Sequence, residues 1–220
     1  MPRLDDSRAG ARRLLEAAVV AFAERGYHGV SVRDLTSTIG IQAGSFYSHF
    51  DSKEELLCEI VLLAHERHQA AVREALLATG ADPADQLRGT MRANVSFIGT
   101  YPYLTIVGSS ELHALSPQHR ERVLHIRQES AALVAAIIER GNAMGVFACV
   151  HPWIAVSALG GMAMRLAWWF RTPDRAADNG SLNTYTQAAD WLPGGPFTLE
   201  QMAAEYAEYA LKIVSYRPKE

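Results

Sequence analysis

Two helix-start signals flank a single glycine within residues 31–55, and this arrangement limits what the chain can fold into more than any other feature. Ser31 with Asp34, and Ser52 with Glu55, each pair a side-chain oxygen with a carboxylate three residues on, so that both serve orphan backbone N–H groups. After the first start, Val32, Leu35 and Ile39 recur at helical spacing and predict one buried face. Gly40 supplies a tight turn, and a second short helix is expected from about Gln42 to His49. Phe46 and Phe50, four apart, should anchor that helix in a core. Two short helices about a glycine turn form the unit that sets its second helix into a DNA major groove.

The composition of the second helix suits that role better than a purely structural one. Gly44 costs about 1 kcal/mol relative to Ala inside a helix. Its neighbours Gln42, Ala43, Ser45, Tyr47, Ser48 and His49 are small or able to hydrogen-bond. Gly44 lets the backbone approach phosphates, while Gln42 and Ser45 have side chains suited to base edges. A helical bundle that binds no nucleic acid is the alternative. From Ala11 to Leu57, with LLEAAVVAFAERGYHGVSVRDL and then IGIQAGSFYSHFDSKEELL, the segment is similar to the DNA-binding domain of the tetracycline-repressor family of bacterial regulators. The resemblance implies that Ser31 and Arg33 contact phosphate and groove, and that Gln42, Gly44, Ser45, Tyr47 and His49 form the reading face. It also implies that Lys53, at the next helix N-terminus, clamps a phosphate. Ala43 stands where a basic or larger residue often sits, and Ser48 replaces a common His or aromatic, so direct readout is expected to be modest.

Bulk charge does not announce this function. The net charge of −3 is unlike that of a protein that coats nucleic acid without specificity. Basic residues are local instead: Arg3, Arg8, Arg12 and Arg13 near the start, then Arg33 and Lys53. An arm carrying Arg3 and Arg8 either enters a minor groove or remains a solvated tail. Cys58 and Cys149 offer neither a disulfide framework nor zinc spacing. The charged start has no apolar signal region, so a cytoplasmic location is expected. Residues 152–170 are nearly all apolar with Arg165 their only charge. Ser157 and Gly160–Gly161 weaken a membrane reading, and burial inside a helical protein is expected instead.

No strand-period segment competes with the helices, so the expected fold is all-α. A DNA-binding domain over residues 1–51 precedes a ligand-binding and dimerisation domain over 52–220. Helices are predicted for 52–79, from Asp82-Pro83 to Thr100, around Leu104, Val107 and Leu112, from Ser116-Pro117 to about Gly141, for 152–170, and from Thr198 to Tyr216. On the last helix, Met202, Tyr206, Tyr209 and Ile213 form one stripe. Ala203, Ala207, Ala210 and Val214 form a small-residue stripe beside it that admits close helix approach. In the resembled family the last two helices of each subunit pair into an intermolecular four-helix bundle. Ala203, Tyr206, Ala207 and Ala210 are therefore candidate dimer contacts, with packing inside one chain as the alternative. A two-fold dimer would meet a palindromic double-stranded operator.

The family resemblance also implies a small-molecule effector bound among the C-terminal helices. Candidate contacts are His68, Phe97, Tyr101 and Leu104, an apolar and aromatic cluster around a helix break, together with Arg165 and Trp169, four apart. A buried Arg165 needs an anion, either from a ligand or from Glu111 or Glu129. Residues 134–147, then WWFRTP, then LPGGPFTLEQMAAEYAEYALKIV, are similar to regulators that sense acyl-CoA thioesters. A segment from Asp174 to Trp191 interrupts the connector, and steroid-like or drug-like apolar effectors remain open. Two other function classes compete. A helical enzyme would need an acid–base or nucleophile set, and no catalytic residue stands out. His65 and His68 are three apart without a third ligand at matching spacing, so neither metal nor cofactor is expected. The remaining alternative is an activator or architectural DNA binder without a ligand.

Overall fold

Caps and prolines set the helix boundaries in the computed structural model, which describes residues 9–170 and 197–215. The helices are α1 (Ala9–Arg25), α2 (Val32–Thr38), α3 (Lys53–Ala78), α4 (Pro83–Thr100), α5 (Pro102–Ser110), α6 (Pro117–Ala143), α7 (Pro152–Trp169) and α8 (Leu199–Ile213). Short 3-10 turns cover Ala43–Ser48 and Leu112–Ala114. No strand occurs among the described residues, and the fold is all-α. The Ser31–Asp34 and Thr198–Gln201 boxes both form with reciprocal bonds. Asp82 caps α4 through Ala84 and Asp85, with Pro83 in the first turn. Leu112, expected inside the fifth helix, lies beyond its end in the second 3-10 turn. The Asp174–Trp191 segment, with Leu182, Tyr185 and Trp191, lies outside the described residues, as do Arg3 and Arg8.

By compactness the chain divides into two units. The first runs to His65 and adds Tyr103–Val123; the second holds Glu66–Pro102 and the chain from Leu124 onward. These boundaries fall inside α3, α5 and α6.

The first unit is built around Leu14, Ala18 and Phe22 of α1, Leu35 of α2, Phe46 and Phe50, and Leu56, Leu57, Ile60 and Val61 of α3, all buried. Side chains of this size contribute about 1.5–3 kcal/mol each on full burial. A Cβ on Gly108 of α5 would crowd that of Ala64, and His65 Nε2 lies 3.1 Å from the Gly108 carbonyl oxygen. Glu54 accepts from the Ser116 backbone N–H at 2.8 Å and from His119 Nδ1 at 3.0 Å, serving the start of α6. The Ser116 bond, then His119, hold the Glu54 carboxyl below its ordinary range.

In the second unit, α8 packs along α4 and α7 packs beside it. A Cβ on Gly99 of α4 would overlap Leu199, which shows how closely α8 approaches there. Arg88 Nε reaches Glu208 at 2.9 Å across the same pair. The turn after α6 is clipped by Asn142, whose side chain donates to the Cys149 carbonyl at 2.7 Å and accepts from its N–H at 2.9 Å. The Phe147 ring lies directly on Gly141 of α6 and is buried.

Alanine in place of a helical glycine ordinarily stabilises by about 1 kcal/mol. At Gly141 the added methyl overlaps a packed ring, and overpacking costs about 1–3 kcal/mol. Gly141→Ala should therefore lower the thermal midpoint, by roughly 2–4 °C per kcal/mol for a domain of 150–250 residues. A calorimetric midpoint at or above that of the parent would show that Phe147 moves aside freely.

Candidate nucleic-acid interface

Gly40 adopts φ +71°, the left-handed turn that a side chain would disfavour by about 1 kcal/mol or more. The Ile41 N–H closes back on Thr36 at 2.9 Å, which ends α2 and swings the chain outward. The chain then forms a 3-10 segment, Ala43–Ser48, where the sequence periodicity predicts an α-helix over 42–49. The difference has local causes. The run is six residues long, and Gly44 weakens it as a helix. The Ser48 hydroxyl donates to the Ser45 carbonyl at 2.7 Å, which favours the tighter three-residue repeat. Phe46 and Phe50 are buried as expected and pin the segment from below.

Gln42, Ala43, Gly44, Ser45, Tyr47, Ser48 and His49 are all exposed, Tyr47 at 60%. With three residues per turn, Gln42, Ser45 and Ser48 share one ridge. Gln42 makes no side-chain cap bond, so its amide is not spent on the helix start. A Cβ on Gly44 would meet nothing within 4 Å, leaving the backbone open to close approach. Ser31 is exposed, but its hydroxyl is engaged, donating to Asp34 Oδ2 at 2.7 Å and accepting from the Asp34 N–H. That pairing holds the Asp34 carboxyl below its ordinary range. Arg33 is exposed beside it.

Lys53 differs most from its sequence role. Its ammonium donates to the carbonyls of Tyr27 at 2.9 Å and Val30 at 2.7 Å, and lies 4.0 Å from the centre of the Tyr27 ring. Partial burial lowers its pKa, with the Asp34 charge opposing. It ties the start of α3 to the α1–α2 turn, and two of its three donors are committed inside the protein.

The candidate effector residues are divided between the two units. His68, Phe97 and Tyr101 gather in the second unit, with ring separations of 5.5 and 5.3 Å along the series. His68 Nε2 lies 2.8 Å from Asn94 Oδ1, which makes that nitrogen the donor. Leu104 is buried within the first unit. Arg165 is exposed, contrary to the burial expected on a helix apolar all round. Its guanidinium carbon lies 6.0 Å from the Trp168 ring, while Trp169 packs edge-on to Phe170. The reason is that α7 buries one stripe, Ala155, Leu159, Ala163, Leu166 and Ala167, and Arg165 lies off that stripe. Trp153 is 56% and Ile154 66% exposed on that helix, and Ser157, Ala158, Gly160 and Gly161 are exposed too.

The small-residue stripe of α8 is consumed inside one chain. Ala203 is 4% exposed and Ala207 and Ala210 are 0% exposed, which leaves them no surface to offer a second chain. Tyr206 is half-buried, while Tyr209 and Ile213 are exposed. Among the described residues no helix is long and apolar enough to cross a membrane, and no group of three or more His, Cys, Asp or Glu is placed to hold a metal ion.

Residues 14–60 match the model of bacterial regulatory proteins of the tetR family, and residues 80–178 match the tetracyclin repressor-like C-terminal domain. The crystal structure of PfmR, a TetR family transcriptional regulator from Thermus thermophilus, is 32% identical, covers 91% of this chain and 97% of its own, and superposes with a TM-score of 0.73. This chain belongs to the tetracycline-repressor family. The ketosteroid transcriptional regulator KstR2 of Mycobacterium tuberculosis is similar at 27% identity over 94% of this chain and 92% of its own. AibR, solved in complex with isovaleryl coenzyme A and operator DNA, shares the fold at 20% identity, with a TM-score of 0.74 over 94% of this chain and 99% of its own. The regulator therefore carries a helix-turn-helix DNA-binding domain and is not an enzyme.

Two contacts of this tetracycline-repressor relative escape sequence reasoning: the Arg13 bond to the Ile39 carbonyl and the Glu54 bond to Ser116. Both join residues far apart in the chain, and no local pattern signals them. His68 yields a measurable consequence. Burial lowers its pKa, with the Asn94 hydrogen bond opposing, so the folded protein holds it neutral. The unfolded chain binds that proton more readily, so stability is complete above the ordinary histidine value and falls as pH drops below it. His68→Gln should flatten the decline in thermal midpoint between about pH 7 and about pH 5, the range in which histidine ordinarily titrates. An unchanged decline would assign it to other groups.

Proposed function

We propose that the regulator is a homodimeric repressor that binds a palindromic operator and is released from it by an apolar small-molecule effector. The observation that carries this reading is the exposed ridge of Gln42, Ser45 and Ser48, with Tyr47 beside it, presented after a capped α2 and a left-handed turn. Residues 1–51 read DNA, and residues 52–220 hold the effector and the dimer contacts. Ser31 and Arg33 meet backbone and groove beside that ridge, with Ala43, Gly44 and His49 completing the face. Lys53 supports it from behind, and its one uncommitted donor is what remains for a phosphate.

Dimerisation uses the outward face of α7 together with Tyr206, Tyr209 and Ile213 of α8. Trp153 and Ile154 form apolar surface that a second copy would remove from water, and the exposed small residues farther along α7 permit close helix approach. Arg165 belongs to this face rather than to an effector pocket. A two-fold pair presents two reading segments to half-sites one helical turn, about 34–36 Å, apart. Ile154→Glu or Trp153→Glu should give monomers with weak operator binding, because a charge enclosed without a partner costs about 3–5 kcal/mol. Light scattering that reports dimers for both variants would move the interface elsewhere.

For the effector, His68, Phe97 and Tyr101 supply an aromatic lining, and an acyl-CoA thioester is the class to test first. Support comes from AibR, which binds isovaleryl coenzyme A, and from the similarity to KstR2. Mobility shift on the regulator's own promoter region, with isovaleryl-CoA, a longer acyl-CoA and free coenzyme A, is the test. Release by a thioester but not by free coenzyme A is expected. DNA binding that ignores every thioester would exclude this effector class and favour a ligand-independent DNA binder.

Gln42→Ala and Ser45→Ala should each change the preferred operator sequence, at roughly 1–3 kcal/mol per lost base contact. Selection from random duplexes reads this directly. An unchanged consensus for both variants would assign specificity to DNA shape.

A further inference from the structure

We propose that the first turns of α1 are a positioning cradle for the DNA-reading segment, in which Arg13 clamps the carbonyl that precedes it and Gly10 seats the histidine at its far end. This inference rests on the operator-binding reading above and assigns supporting work to Arg13 and Gly10, which need not touch DNA.

Arg13 Nη2 donates to the Ile39 carbonyl at 2.6 Å, across 26 residues of chain. Ile39 is the C-cap of α2, and α2 carries no basic residue in its own last turn. Arg13 thus delivers from a neighbouring helix the cation that a helix C-terminus favours, and satisfies a carbonyl that α2 cannot satisfy itself. The clamped carbonyl immediately precedes Gly40, whose left-handed conformation sets the direction of the reading segment. Gly40 N–H donates to Ser37 at 3.1 Å and Ile41 N–H to Thr36 at 2.9 Å, so the α2 terminus is closed by these bonds together with the Arg13 clamp.

Gly10 lies one helical turn before Arg13. A Cβ there would sit 2.5 Å from His49 Nε2 and 2.8 Å from Cε1, so the imidazole rests where any side chain at position 10 would be. His49 is the C-cap of the 3-10 segment and is exposed, with its ring set against α1 at Gly10. Both ends of the reading segment are therefore held by α1, one by a charge-assisted hydrogen bond and one by a fitted contact. Arg12, the neighbouring cation, faces Glu16 at 3.7 Å instead.

The test uses the full-length dimer and operator DNA. Arg13→Gln should raise the operator Kd by roughly tenfold, the scale of one charge-assisted bond, and should do so for every operator variant alike. The slope of log Kd against log salt should stay at its parent value. In the free protein, hydrogen exchange at the Gly40 and Ile41 amides should accelerate while protection in α3 is retained. Arg13→Lys should recover much of the affinity. A salt slope lower by about one unit would make Arg13 a phosphate contact and overturn the proposal. Unchanged affinity and exchange would equally overturn it. For Gly10, a double-mutant cycle decides: Gly10→Ala should weaken binding in the parent and cost nothing once His49 is Ala. An equal cost in both backgrounds would remove Gly10 and His49 from the cradle. Failure of the parent protein to bind any operator would instead strike the functional reading itself.

Discussion

A reading element of six residues cannot hold its own shape, and the organisation of the first unit derives from that constraint. Helix nucleation fixes several dihedral angles for each hydrogen bond gained, so one or two isolated turns are unstable in water. The chain answers with supports from outside the segment. Phe46 and Phe50 sink into the core, Gly40 sets the entry angle, and Ser52 and Glu55 start the next helix directly behind it. Lys53 fastens that helix to the Tyr27 and Val30 carbonyls. With the interior side of the segment so committed, Gln42, Ser45 and Tyr47 remain exposed and available for recognition.

The second unit obeys a different logic, in which small residues decide which helix faces are used up. Ala203, Ala207 and Ala210 let α8 lie close along α4, and Gly99 admits Leu199 at the start of the contact. An ion pair between Arg88 and Glu208 lies across the same two helices, though part-exposed pairs of this kind add at most about 1 kcal/mol. α7 also packs on α4 and buries one stripe, while Trp153 and Ile154 near its start remain exposed. Trp153 and Ile154 form the exposed apolar surface on which the proposed dimer rests.

The features legible in the sequence are mostly local. The Ser31–Asp34 and Thr198–Gln201 boxes, the Asp82-Pro83 start and the Gly40 turn depend on residues a few positions apart, and each forms as the pattern predicts. The periodicity that reveals helices leaves other matters open. It does not show that residues 43–48 tighten into a 3-10 turn, because a hydroxyl bond and a glycine decide that together. It identifies a small-residue stripe on α8 without identifying its partner, which proves to be α4. Arg165 departs from expectation for a related reason: an apolar helix looks the same in sequence whether one face or every face is covered. In the candidate interface, the residue types of the reading face are evident from sequence. The inward commitment of Lys53 and the Arg13 clamp are not, since both depend on a partner at least 23 residues away.

The first unit is discontinuous along the chain, and this bears on how it is assembled during synthesis. The helices that read DNA emerge first, yet Ala64 and His65 meet Gly108, and Glu54 meets Ser116 and His119, only after the intervening stretch has been made. That stretch belongs to the second unit, so these contacts of the first unit cannot form until part of the second has been made. Closing contacts over 43–65 residues also carries the entropic penalty of long-range pairing, which slows folding relative to a simple three-helix module. The DNA-binding unit of this protein is therefore encoded partly early and partly late, with its closing contacts supplied by residues made after Glu66–Pro102.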